Sequence, residues 1–231
     1  DMPGALIFST TPDNSDSATE RMRITSAGYV GIGVEPSSVL YVASSDGYVI
    51  NERFTGADTA APGFVLRKSR GSSAGSFTTV ANGDSVGDIY FAAADGNSWH
   101  NTAHIGCVVD DGSVSDGAIG GELKFRTSST SVTMTEHMRI DNAGEVFFGT
   151  TSRPSGSVGG ACFEPAGDAR MILNLGCTTT STRNVAVFRN SNNGVGSIAV
   201  GGSGTAFNTS SDYRLKENVV TDWDATSRLK Q

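Results

Sequence analysis

The chain predicts an all-β protein built of small tandem modules, on three observations. Apolar and small polar residues alternate in short bursts, the bursts are divided by tight-turn dipeptides, and one strand–turn–strand pattern occurs twice. Leu6 and Phe8 share a parity, as do Met22 and Ile24, and Val30 and Ile32. So do Phe64 and Leu66, Ile89 and Phe91, then Ile105, Cys107 and Val109. Leu123 and Phe125, Met138 and Ile140, Val146 and Phe148, Val185 and Val187, and Ile198 and Val200 complete the set. A period of two puts one face of a strand in an apolar layer and the other in a polar one. Each burst predicts a strand of about 4–6 residues. Between bursts stand Ala27-Gly28, Asn82-Gly83, Asp95-Gly96, Asp111-Gly112 and Asn193-Gly194, which predict turns.

The repeat organises the chain. Residues 20–33 read ERMRITSAGYVGIG and residues 136–149 read EHMRIDNAGEVFFG, 116 positions apart. Upstream, Leu6 and Phe8 align with Leu123 and Phe125. Each copy predicts a hairpin: a strand through Met-Arg-Ile, a turn at Ala-Gly, and a return strand. Gly28 and Gly144 are expected at positive φ, which costs glycine nothing. Arg23 and Arg139 then point away from the apolar face, to pair with Glu20 and Glu136 or to face water. The predicted organisation is the end of a first β-repeat at 1–33, a complete second repeat at 34–149, and a distal β-segment at 150–211. A change of kind follows at 212–231, where glycine disappears and charge becomes dense. There Leu215, Val219 and Trp223 share one helical stripe, opposed by the β-branched Val219-Val220-Thr221. The opening Asp1-Met2-Pro3-Gly4 reads as a cut from a longer chain.

Composition excludes several classes. Charged residues make up 18% of 231, below the ordinary ~25%, and the net charge is −7. That balance argues against a nucleic-acid backbone binder. No apolar run approaches the ~18 residues of a spanning helix, and no signal-peptide pattern opens the chain. Cys107, Cys162 and Cys177 are odd in number and widely spaced, so they are expected as reduced, mostly buried thiols. With little charge, many small residues and thin apolar layers, a single copy has little to build a thick core from. Such chains bury their faces on copies of themselves.

Few residues are arranged for chemistry. His100, His104 and His137 lack metal-ligand spacing, and Asp13, Asp16, Asp110 and Asp111 lack that of a calcium loop. Neither a metal nor a cofactor is expected. Gly31-Ile32-Gly33 is followed by Glu35-Pro36 and not by a helix, so it is no phosphate loop. Asn208-Thr209-Ser210 is formally a glycan acceptor. Tyr90, Trp99 and His100 are expected at a subunit contact, with a sugar contact as the alternative. Ser211 and Lys216 are five apart, which by spacing alone does not bring a serine nucleophile to a lysine base.

The string Thr209-Ser210-Ser211-Asp212-Tyr213-Arg214-Leu215-Lys216-Glu217-Asn218-Val219 resembles the opening of the endosialidase-type intramolecular chaperone domain of bacteriophage tail fibres and spikes. Residues 20–33 and the stretch from Leu66 to Gly96 resemble the shafts of such fibres more loosely. The resemblance implies an elongated, intertwined homotrimer of β-prism, triple β-helix or β-sandwich type, with 212–231 as a short stub of an α-containing chaperone. It implies self-cleavage between Ser211 and Asp212, with Ser211 as nucleophile and Lys216 as base, and structural roles for Arg214 and Leu215. It further implies a virion location, attachment to a glycan or outer-membrane receptor of the host, and upstream tail proteins as partners, without nucleic acid or membrane insertion. Alternatives are the stalk of a polysaccharide-depolymerising spike and a cellular adhesin using the same chaperone.

Overall fold

The Met-Arg-Ile strands pair as their alternation requires, each within its own sheet. The computed structural model describes residues 4–45, 47–54, 59, 61–129, 133–167, 169–191 and 193–209. The chain forms two compact units, Asp1–Val65 and Leu66–Gln231. The fold is all-β, with no helix among the described residues and no closed sheet. Ser211, Asp212, Lys216 and the helical stripe expected after them lie outside the described residues.

The first unit holds one four-stranded sheet in chain order: β1 (Leu6–Thr10), β2 (Thr19–Ile24), β3 (Val30–Ile32) and β4 (Leu40–Val42). Two cross-strand lines share one face. Phe8 stands opposite Met22, Met22 opposite Ile32, and Ile32 beside Val42; Leu6, Ile24, Val30 and Leu40 form the second line. The opposite face carries Ile7, Arg23, Gly31 and Tyr41 in one line.

The second unit holds a seven-stranded antiparallel sheet: β5 (Ser85–Ala94), β6 (Trp99–Val109), β7 (Gly121–Ser128), β8 (Met134–Ile140), β9 (Val146–Phe148), β10 (Gly160–Pro165) and β11 (Met171–Gly176). One apolar line crosses all of it: Ile89, Ile105, Phe125, Met138, Phe148, Ala161 and Leu175. A second runs beside it through Cys107, Leu123, Ile140, Val146, Phe163 and Leu173. A separate three-stranded meander holds β12 (Arg183–Asn190), β13 (Asn193–Gly201) and β14 (Gly204–Thr209).

The two copies of the repeat form the same hairpin, closed by matching backbone hydrogen bonds. The Gly28 N–H donates to the Thr25 carbonyl at 2.9 Å and the Gly144 N–H to the Asp141 carbonyl at 3.1 Å. The Thr25 and Asp141 amides donate in turn to the carbonyls of Tyr29 and Glu145. Both glycines have positive φ, 81° and 79°, closing a tight turn followed by a one-residue bulge. A second bulge recurs too: the register shifts after Phe8 in one copy and after Phe125 in the other.

Three expectations differ from the structure. β5 and β6 run to ten and eleven residues, because each is the other's partner along its whole length and a bulge absorbs the twist. Phe64–Leu66 is not a strand; Phe64 is exposed and no strand among the described residues takes its backbone. Among the thiols, all free, Cys162 is buried while Cys107 and Cys177 are half-buried. β4, β10, β11 and β14 add strands that the alternation did not mark.

Candidate functional site

The seven-stranded sheet has two chemically opposite faces; much of the apolar one stands open, while the centre of the charged one is covered. Among the described residues the buried hydrophobic side chains are Val109, Phe147, Cys162 and Ala199, while Phe91 and Leu173, both on the apolar face, are each 51% exposed. On the charged face His104 is 2% and Glu122 6% exposed. Long cationic arms lie along that face and cover one another's charged heads, which flat apolar side chains do not do.

The charged face is one connected network. Arg139 donates from Nε to Glu136 Oε1 at 2.5 Å and from Nη1 to Glu122 Oε2 at 2.8 Å. Lys124 pairs with the other oxygen of Glu122. Arg126 lies 3.8 Å from Glu136 and 3.3 Å from His104 Nδ1. Because a guanidinium only donates, His104 Nδ1 accepts, so its Nε2 carries the proton given to Asp88 Oδ1 at 2.7 Å. Ser85 Oγ donates to the second Asp88 oxygen at 2.7 Å, and the Tyr90 ring stacks on His104 at 4.5 Å. Serine, aspartate and histidine are thus adjacent in the wrong order for nucleophilic catalysis. The serine bonds the carboxylate and an arginine occupies the imidazole nitrogen a nucleophile would need. The Ser85 hydroxyl, then the His104 contact, hold Asp88 below the ordinary carboxylate range against the opposing effect of burial.

A second cluster lies on the same face. Arg153 pairs with Glu145 and stands 2.9 Å from Glu164. That guanidinium lowers the Glu145 pKa, and Glu145 raises that of Arg153. Burial, then the nearby Glu145 and Glu164, push the Cys162 thiol up, away from reactive thiolate. At the β5–β6 turn, the amides of Ser98 and Asn97 and then His100 hold Asp95 down to about 2. Asp111 accepts from the amides of Ser113 and Gly120 and organises a loop. No group of three possible metal ligands exists among the described residues. At Gly31 the chain itself occupies the space a phosphate would need: a Cβ there would meet Val34 O, and Pro36 Cδ at 2.8 Å. A recess of about 400 Å³ lies between Lys68–Val80 and the β6–β7 connection, walled by the exposed Phe77 and Ile119.

Of the residues predicted to act, Ser211, Asp212 and Lys216 lie outside the described residues, and β14 ends at Thr209, just before them. Of the two alternatives left for the repeat's arginines, pairing is the one realised: Arg23 bonds Glu20 and Arg139 bonds Glu136. The rest of the network went unread, although its signal was present. Glu122, Lys124 and Arg126 alternate with Leu123 and Phe125, the polar half of the same period of two. No protein-family model matches the chain, and no curated protein matches it. No helix among the described residues is long and apolar enough to cross a membrane.

Proposed function

We propose that this chain is a structural and receptor-binding part of a bacteriophage tail fibre or appendage, a homotrimer that mediates host attachment. Its maturation is a single hydrolysis of the Ser211–Asp212 peptide bond, with Ser211 as nucleophile, Lys216 as base and 212–231 as the head of the released chaperone. The observation that carries the assembly is the exposure of the apolar layers. Leu6, Phe8 and Leu40 in the first unit, and Ile89, Phe91 and Leu173 in the second, all stand open on a single chain. Monomeric proteins rarely leave such contiguous apolar area in water. The resemblance of residues 209–219 to the chaperone junction supplies the identity of the assembly.

This reading has a physical economy. Interwoven β-chains pair over long sequence distances and expose unpaired edges while they fold. A detachable trimerising domain sets the three chains in register, and its removal leaves a shaft protected by slow unfolding. Size-exclusion chromatography with light scattering tests it: the expected mass is three times the 23.9 kDa of one chain. A stable single-chain mass overturns the proposal. For the cleavage, full-length parent protein and its Ser211→Ala variant are compared on a denaturing gel. Shortening of both bands equally removes Ser211 as the nucleophile.

A further inference from the structure

The face through which copies meet is legible from the register. The apolar lines through Phe125–Met138–Phe148 and Leu123–Ile140–Val146 cross the whole second-unit sheet with no charged residue in them. Seven of that face's side chains are 36–59% exposed, from Leu123 at the low end to Met171 at the high end. At about 200 Å² for a large side chain, they offer roughly 650 Å² per copy. That approaches the ~800 Å² per partner of a stable interface, before the half-buried Phe125 and Met138 are counted. The charges of the opposite face are already paired within the chain and its Tyr90 stacks on His104, so, against the expectation of Tyr90 at a subunit contact, that face asks for no partner.

The first unit presents the same lines, Phe8–Met22–Ile32 and Leu6–Ile24–Val30, in the same register. An unrelated partner would have to carry this repeat itself; another copy of the chain does so by construction. We propose that the Phe163–Leu173 face packs against the same face of further copies of this chain, that the β1–β4 face does likewise, and that the Asp88–His104–Arg126 face turns to solvent. The inference rests on the multimeric reading above and adds the surface and its orientation.

Neighbouring residues on β11 give the test, since Leu173 lies on the apolar face and Ile172 on the charged one, opposite Glu164. In the full chain, Leu173→Lys is expected to lower the light-scattering mass to that of one chain, and Ile172→Lys to leave it unchanged. Because Leu173→Lys can fail by misfolding, a photo-crosslinking phenylalanine derivative is placed at Phe163 and, separately, at Ile172. Covalent multimers are expected from position 163 alone. A trimer that survives Leu173→Lys and gives no crosslink at 163 overturns the face while leaving the fibre reading intact. A light-scattering mass of two chains, with crosslinks at 163, upholds the face and overturns the threefold assembly. A monomer without crosslinks overturns both.

Discussion

The hairpin of residues 20–33 and that of 136–149 share sequence, turn, bulge and register, and yet the chain leaves them in opposite directions. After β3 it returns parallel, so that β4 lies beside β3 with Val30 paired to Leu40. After β9 it returns antiparallel, and β10 pairs Phe163 with Val146. Among the positions at which they differ on the charged face, Gly31 in the first copy is Phe147 in the second. A parallel return must cross a face of the sheet. It crosses over Gly31, where Val34 and the buried Pro36 occupy the space a side chain would fill. Phe147 fills that space itself and is 3% exposed. The same hairpin therefore accepts two continuations, with glycine beneath the crossing segment in one and a buried aromatic ring at the same position in the other.

The ion pairs tell a parallel story. Arg23 and Arg139 each hold the glutamate three residues before them through Nε. Each also takes a second carboxylate at Nη1, but from different sources. Glu35 comes from the crossing segment, and Glu122 from the neighbouring strand β7. In the first copy the position of Glu122 is Ala5, so the crossing segment supplies what the strand lacks.

Four measurements would break or sharpen this comparison. The largest effect is expected from Phe147→Ala, which empties a buried aromatic site and should cost about 3–5 kcal/mol in urea unfolding. A cost below ~1 kcal/mol would deny Phe147 its role as the filler of the second copy. Next comes Gly31→Phe, the reciprocal change. Overpacking beneath Val34 and Pro36 should cost about 1–3 kcal/mol. It should also release the amide of Val30, which donates to Val39 at 2.9 Å, to faster hydrogen exchange; unchanged protection there would show that the crossing does not depend on glycine.

Arg139→Met should be the third in size. It leaves Glu122 with Lys124 alone and Glu136 with only the more distant Arg126 on a covered face, costing about 1–2 kcal/mol after allowance for solvent screening. Arg23→Met should cost less, because the Glu35 side chain is 64% exposed and regains water. Equal losses in the two variants would mean that burial does not distinguish the copies.

The smallest contrast is in pH. Asp88 and Glu145 in the second unit have pKa values below their ordinary ones, through Ser85 and His104 and through Arg153 respectively. The stability they contribute is complete above the ordinary carboxylate pKa of about 4 and is lost as pH falls through the lowered folded values. Hydrogen exchange followed by mass spectrometry from pH 6 to pH 3 should show β8–β9 losing protection on acidification. Protection that rises toward pH 3 would reverse the sign.

Much of this was readable beforehand. The hairpins followed from Met22, Ile24, Val30 and Ile32 and from their counterparts, because a strict alternation and a glycine turn admit one register. The pairing of Arg139 with Glu136 was one of two alternatives the residues left open, and the bulge that brings these opposite-parity positions to one face decided it. Strand β4 escaped notice because Leu40-Tyr41-Val42 is a continuous apolar run with no alternation to reveal it. The path to β10 escaped because Gly31 and Phe147 are equally acceptable within a strand. Their difference appears only when another stretch of chain has to pass above them.

Residue order alone determined the all-β character, the repeated hairpin, the turns and the chemistry of each face, because these depend on neighbours two to four positions apart. Tertiary structure decided the direction of the strand after each hairpin, the second carboxylate on each arginine, and the enclosure of the charged face while the apolar one stays open. Those outcomes depend on which distant segments occupy the same volume, and local alternation carries no record of that.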